Sequence, residues 1–366
     1  MMAPIVLHGE EAETVFRNGV VYTMDENQPQ AQAVAVRDSE IIYVGSEAGL
    51  SDFLGPATRV VDLDGGMLLP GFIETHMHLA DSMAYAKAAQ LSPEMTPTQA
   101  IEAIKAHVER YPQQDPVIGW GFLGVAFGKD GPNAAMLDAI VADRAVFIFD
   151  EGFHTAWVNT EAMRRTGITK DTPDPLPGAH YYKRDSSGTP TGWLIEGGAY
   201  SPVAQGLGVV TAESIANGGE EFLPLMSSMG FTAAFDAGMT NGTARGMAAL
   251  EKIRVAGDLP LRVVASLYVN TDEKLSGAVG ELQALGEKYN HEFLNARVLK
   301  LSLDGTVEAR TAFMLEPWVG EDTNTTRSLI SGEQTNGAML EAAAKGIDVH
   351  IHAIGDAAVH WGLDLV

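Results

Sequence analysis

Two His-X-His pairs and one isolated lysine are the residues of this chain best suited to chemistry: His76-Met77-His78, His350-Ile351-His352 and Lys300. In an extended chain, residues two apart share a face. Each pair therefore presents two imidazoles side by side, able to hold one ion together. A single His-X-His is a weak signal, whereas two of them in separate strand-like runs are a strong one. The chain has no cysteine, so a metal site would use nitrogen and oxygen ligands, for which zinc is the natural occupant.

Lys300 sits in an alternating run. Leu299, Leu301 and Leu303 lie on one face, and Val298, Lys300, Ser302 and Asp304 on the other. Burying an unpaired ammonium is costly, which favours an edge position or an ion pair with Asp304. The reactive alternative is a neutral amine that adds carbon dioxide to give a carbamate, an anionic oxygen ligand able to bridge two metals. Apolar surroundings favour it by lowering the amine's pKa.

The elements that must position these groups follow from periodicity. Stretches 14–23, 31–37, 40–45 and 59–62 read as short strands with turns between them, a small β-domain over residues 1–65. A buried strand from Gly66 to Ile73 then runs into His76. Residues 81–219 read as an insertion folded over the rest, with strands at 116–122 and 145–150. In it Thr96-Pro97-Thr98-Gln99 carries the signature of a capped helix, with Ile101, Ile104 and Val108 as its apolar stripe. Loop-rich stretches follow around Pro173 to Gly178 and Gly188 to Gly192.

Beyond 219, strands at 231–238, 261–270, 296–305 and 347–353 alternate with helical pattern at about 30 to 50 residues per unit, the rhythm of a (β/α)8 TIM-like barrel. With the strand before His76 this makes five of eight. Three more units would need on the order of 100 to 150 residues, so the sequence reads as a C-terminally truncated barrel spanning 66–366. In Ile347 to His352 the apolar residues alternate with Asp348, His350 and His352. Packing the apolar face on outer helices turns the histidines and Lys300 inward, near the strand ends where barrel active sites lie.

Composition excludes other classes. The 366 residues carry 24 basic and 48 acidic side chains, a formal charge of −24; that excess repels phosphate backbones and anionic membranes, so neither nucleic acid nor a membrane is an expected partner. No run approaches the roughly 18 apolar residues of a membrane span, and the first residues lack the pattern of a signal peptide. A cytoplasmic protein acting on a small molecule is expected, and a homo-oligomer is compatible with this composition.

The run Leu69-Pro70-Gly71-Phe72-Ile73-Glu74-Thr75-His76-Met77-His78 resembles the first-strand motif of the amidohydrolase superfamily. The opening Arg17-Asn18-Gly19-Val20-Val21-Tyr22-Thr23-Met24-Asp25, with Ala33 to Val36 and Tyr43-Val44-Gly45, resembles its N-terminal β-sandwich. Four further stretches resemble the large-insert (YtcJ-like) group: Gly152 to Thr160, Gly192-Trp193-Leu194-Ile195-Glu196, Leu299 to Gly305, and His350 to Ala358. The resemblance covers nearly the whole chain. It implies that His76 and His78 bind the more buried metal, that Lys300 is the carbamylated bridge and that His352 binds a second ion. It also implies a histidine from a sixth strand and an aspartate from an eighth, and neither strand is found in this sequence.

The expected catalytic set is Lys300, His352 and His154, with Glu196, Trp120 and Asp304 toward the substrate and one or two zinc ions as cofactor. His350 points inward either as a ligand or as a hydrogen-bonded core histidine. Glu196 either lines the pocket or reaches the metal, and His154 either touches substrate or supports the insertion. Asp236 and Asp304 end strands and could orient ligands. His107, His291 and His360 read as solvated. Trp120, Phe122, Phe127, Trp157, Tyr181, Tyr182 and Trp193 form either a substrate wall suited to an aromatic group or the insertion's own core. The function implied is hydrolysis of a non-peptide, amide-like C–N bond by a metal-activated hydroxide. The alternative is a catalytically silent truncated chain that binds a ligand or partner.

Overall fold

The computed structural model describes residues 11–366 except 176, 178, 179, 241, 306, 308–311 and 325. The opening residues Met1 to His8, and Leu176 and Gly178 of the proline-rich loop, thus lie outside the described residues. The chain divides into two units, Met1–Phe72 and Ile73–Val366.

In the first unit the expected strand at 14–23 is broken in two, Thr14–Arg17 and Val20–Tyr22. Asn18 takes the left-handed conformation at φ 58°, which asparagine tolerates better than most residues. Gly19 beside it passes so close to Gly66 that a Cβ would lie 2.5 Å from that carbonyl oxygen. The halves join different sheets. One sheet orders Glu40–Gly45, Ala33–Arg37, Thr14–Arg17 and Arg59–Asp62; the other orders Gln30–Ala31, Val20–Tyr22 and Met67–Leu68. Val15, Ala33, Ala35 and Leu50 form a small core with Tyr43 and Phe53. The strands expected of a sandwich form these two small sheets.

In the second unit the barrel strands form an open five-stranded sheet in the order Asp348–His352, Leu294–Ser302, Arg262–Val269, Phe231–Asp236 and Phe72–Met77. The four later strands pair in parallel. Helices Thr243–Ala256, Ala278–Tyr289 and Gly332–Ala344 fill the crossovers. Leu250, Leu261, Leu282, Leu299, Leu301 and Leu303 belong to the core between sheet and helices. The described strands make a half-barrel rather than a closed one. No helix among the described residues is long and apolar enough to cross a membrane.

The insertion builds a six-stranded sheet of its own, ordered Tyr181–Arg184, Pro190–Ile195, Thr155–Val158, Val146–Asp150, Val117–Phe122 and Ala89–Gln90. Alternation along its strands feeds two cores. Ile118, Phe147 and Phe149 go to one, and Val117, Val146 and Ile148 to the other, as a period of two requires. The boundary expected at 219 falls inside helix Ala212–Ser228, whose Ile215, Leu223 and Met226 pack into the barrel core.

Helix Pro97–Arg110 begins as expected: Thr96 Oγ1 accepts from the Gln99 N–H at 3.4 Å, and the Gln99 side chain accepts from the Thr96 N–H at 2.9 Å. Its buried face is Ala100, Ile104 and His107, one position round from the expected stripe, with Ile101 and Val108 only partly buried. His107 is therefore not solvated. Its Nε2 lies 2.6 Å from Gln114 Oε1, and burial lowers its pKa. Thr96→Ala should cost about 1 kcal/mol in urea denaturation, and an unchanged midpoint would show that the cap contributes nothing.

Candidate metal centre

The five expected inward residues gather at one end of the half-barrel sheet. Phe72–Met77 ends with His76, and His78 follows it. Register places Lys300 opposite His350 and Ser302 opposite His352 on the neighbouring strand. The His76 and His78 ring centroids are 6.2 Å apart, and the His350 ring meets His76 edge-on at 4.9 Å. His350 also stacks on Phe235 at 5.2 Å. It is thus His350, rather than His352, whose ring touches His76.

Lys300 is 3% exposed. Among the described residues no acceptor lies within hydrogen-bond or ion-pair reach of its ammonium, and burial brings its pKa down to about 8. The ion pair with Asp304 is not formed, because the Asp304 carboxylate is committed elsewhere. It accepts from the Phe313 N–H at 2.9 Å, the Ile354 N–H at 3.0 Å and the Gly355 N–H at 2.8 Å. At 1% exposure, Asp304 cannot meet a substrate either. Its expected substrate role gives way to tying the loop after the fourth barrel strand to the turn after the fifth.

Two of the imidazoles, those of His76 and His350, are shifted toward the neutral form. Burial, followed by the charge of Lys300, lowers His76; burial, Lys300 and His76 bring His350 down to about 4. His78 Nδ1 lies against the Gly238 carbonyl oxygen. A carbonyl only accepts, so Nδ1 carries the proton and Nε2 keeps its lone pair. By the same logic His352, with Nε2 3.2 Å from the Gly305 carbonyl, keeps its lone pair on Nδ1. Asp236 is fully buried, accepts from the Ala80 and Gly238 N–H groups, and is raised to about 6 by burial. It thereby fixes the turn that carries the His78 partner.

Among the described residues no three His, Asp or Glu side chains already converge on one ion. The donor set nevertheless fits a divalent metal. It comprises four imidazoles and the amine of Lys300, which has no acceptor in reach among the described residues and which a metal-bound carbamate would accommodate.

Beside His78 a cavity of about 990 Å³ opens toward the insertion, walled by Tyr85, Trp120, Phe149, Phe153 and Tyr200. Of the expected aromatic wall only Trp120 reaches it. Phe122 and Trp157 are buried in the insertion core with Phe127 and Trp193 beside them, and Tyr182 lies in the other core. Phe149 and Tyr200 carry no motif, and Phe153 was visible only as the middle of Gly152-Phe153-His154. His154 and Glu196 form a half-exposed pair, Nδ1 to Oε2 3.1 Å, next to Phe153. His291 is exposed, and His360 is exposed and pairs with Asp364 at 3.3 Å.

Comparison with known proteins bears on this geometry. The sequence model of the amidohydrolase family matches residues 59–365. The exoenzymes regulatory protein AepA of Pectobacterium carotovorum subsp. carotovorum is 32% identical over 96% of this chain and 76% of its own length. The putative amidohydrolase YtcJ of Bacillus subtilis is 28% identical over 97% of this chain and 66% of its own length, so the chain spans less than two thirds of that relative. An uncharacterized metal-dependent hydrolase from Pyrococcus furiosus shares the fold, with a TM-score of 0.73 and 22% identity, over 96% of this chain and 69% of that one. With a family match of that extent laid over the two His-X-His pairs and Lys300, the chain belongs to the amidohydrolase family.

Proposed function

We propose that the protein hydrolyses a non-peptide, amide-like C–N bond of a small molecule, with one or two divalent ions, zinc first among them, held by His76, His78, Lys300 and His352. The observation that carries this reading is Lys300, a residue buried in its strand with no acceptor in reach among the described residues, beside His76 and His350, which burial shifts toward the neutral form. A cation left without a partner in such a place is costly. It is accounted for if the neutral amine takes up carbon dioxide, the nitrogen lone pair forming the C–N bond and a proton leaving to solvent. When bound, the metal would lower the pKa of water and polarise the scissile carbonyl.

The chain's own residues supply the rest. The Gly238 carbonyl orients His78, the three backbone N–H groups on Asp304 fix the strand end that carries His352, and the aromatic cavity receives the substrate. His154 and Glu196, paired beside Phe153, are proposed to position it. A cytoplasmic setting belongs to the same reading.

A second reading, a catalytically silent ligand-binding protein, draws on the lack of a converged three-residue cluster among the described residues. Chelation separates the two. Turnover of a panel of N-acyl and N-formyl amines should vanish after a strong chelator and return with zinc. Turnover that survives exhaustive chelation would remove the metal from the mechanism, and no turnover on any member of the panel would favour the silent protein.

A further inference from the structure

The turn that follows strand Val146–Asp150 is built against its own backbone preferences. Phe153 has φ 57°, a region that costs a bulky side chain energy. Four hydrogen bonds hold it there. Asp150 Oδ1, buried, accepts from the His154 and Thr155 N–H groups at 2.8 and 2.9 Å. The Phe153 N–H reaches the Asp150 carbonyl at 3.3 Å, and the Phe153 carbonyl accepts from Tyr200 OH at 2.7 Å. Burial does not explain this outlay, since Phe153 remains 40% exposed. Its ring stands among the rings of the cavity, 5.0 Å from Phe149, 6.1 Å from Tyr85 and 6.2 Å from Trp120, nearly parallel to the last at 21°.

Away from His78, the wall carries two acidic groups. Asp81 and Glu221 line the cavity, and no lysine or arginine is among its described lining residues. Asp81 accepts from the Thr240 N–H and hydroxyl, and Glu221 from the Tyr111 hydroxyl. An anion that enters beside them meets like charge.

We propose that this cavity takes a planar aromatic group that is neutral or positively charged, with Phe153 as the residue that selects the ring and the carboxylates Asp81 and Glu221 as the groups that reject anions. Ring contacts favour edge-to-face or offset stacking at the centroid distances seen here, and an anion between two carboxylates meets repulsion that a neutral group does not. The hydrolase reading is needed only to make this group part of the substrate.

The test is calorimetric titration of the purified protein with four amides of similar size: benzamide, cyclohexanecarboxamide, para-aminomethylbenzamide and para-carboxybenzamide. Benzamide should bind about fivefold tighter than its cyclohexyl analogue. The carboxylate should bind about tenfold weaker than benzamide, and the aminomethyl compound at least as tightly as benzamide. Phe153→Leu should erase the benzamide advantage, and Phe153→Tyr, which keeps the ring, should restore it. Should Phe153→Leu fail to fold, Trp120→Leu carries the same comparison. Equal affinities across the four amides, or an undiminished ring preference in Phe153→Leu, would overturn the assignment. The same amides assayed for ammonia release keep the two ideas apart. Selective binding without turnover would leave the cavity assignment standing and count against the hydrolase. Turnover without ring or charge preference would do the reverse.

Discussion

Lys300→Met is expected to abolish turnover and at the same time to make the protein more stable. Methionine fills nearly the volume of the lysine stem without its charge, so the surroundings of that stem need not repack. Activity should fall by at least about 10³-fold, equivalent to roughly 4 kcal/mol of lost transition-state stabilisation, and metal content should fall with it. In metal-stripped protein the wild type pays for a buried ammonium. The drop of the Lys300 pKa from 10.5 to about 8 corresponds to about 3 kcal/mol.

The sign of the pH dependence follows from proton uptake. Between pH 8 and 10.5 the unfolded chain binds the Lys300 proton and the folded chain does not, so wild-type stability rises with pH through that window. The advantage of Lys300→Met should therefore be full below pH 8 and fade toward pH 10. Urea denaturation of both proteins across that range, with metal analysis at pH 7, checks each part. Metal content unchanged by the substitution would sink the carbamate proposal. A stability gap that widened with pH would show that the ammonium has a partner.

Asp304→Ala should give the largest loss of stability. Three N–H groups, from Phe313, Ile354 and Gly355, converge on this carboxylate. Each donor left unsatisfied in a buried place costs about 1 to 3 kcal/mol, and partial rescue by water brings the expected total to roughly 3 to 5 kcal/mol. Asp304→Asn keeps the shape but turns an N–H₂ toward at least one of these donors, so it should fall between wild type and alanine. Equilibrium denaturation ranks the three proteins. An alanine variant within about 1 kcal/mol of wild type would mean that the loop and the strand end hold each other without the carboxylate.

Much of the site was legible because strand parity is a strict rule. Once Leu299, Leu301 and Leu303 were taken as one face, Lys300 had to lie on the other, and the same alternation turned His350 and His352 together. Parity cannot rank two histidines on one face. That His350 reaches His76 depends on lateral register, Lys300 opposite His350, which no local pattern encodes. Asp304 read as a polar strand end open to substrate, because its three donors come from residues 9, 50 and 51 positions away in sequence.

The cavity wall was harder still. Trp157 and Trp120 look alike in sequence, yet one is sealed in the insertion core and the other lines the cavity. The break at Asn18 was hidden because hydrophobic alternation continues across it, while the left-handed residue sends the chain to another sheet. His107 misled for a simpler reason. Ala100 and Ala103 are small enough to let the helix roll, and a one-position roll exchanges a solvated histidine for a buried one.

The two-sided packing of the insertion sheet carries a consequence for how this protein can change over evolutionary time. Phe149 belongs at once to the insertion core and to the cavity wall, so any replacement there alters folding and recognition together. Phe153 stands on a turn fixed by backbone hydrogen bonds, and its side chain is free to vary without opening a core. New substrate preferences should therefore accumulate at Phe153 and the loops around it, leaving Phe149 and the histidine cluster conserved. The division would let one histidine and lysine cluster serve a succession of ligands at little risk to the fold.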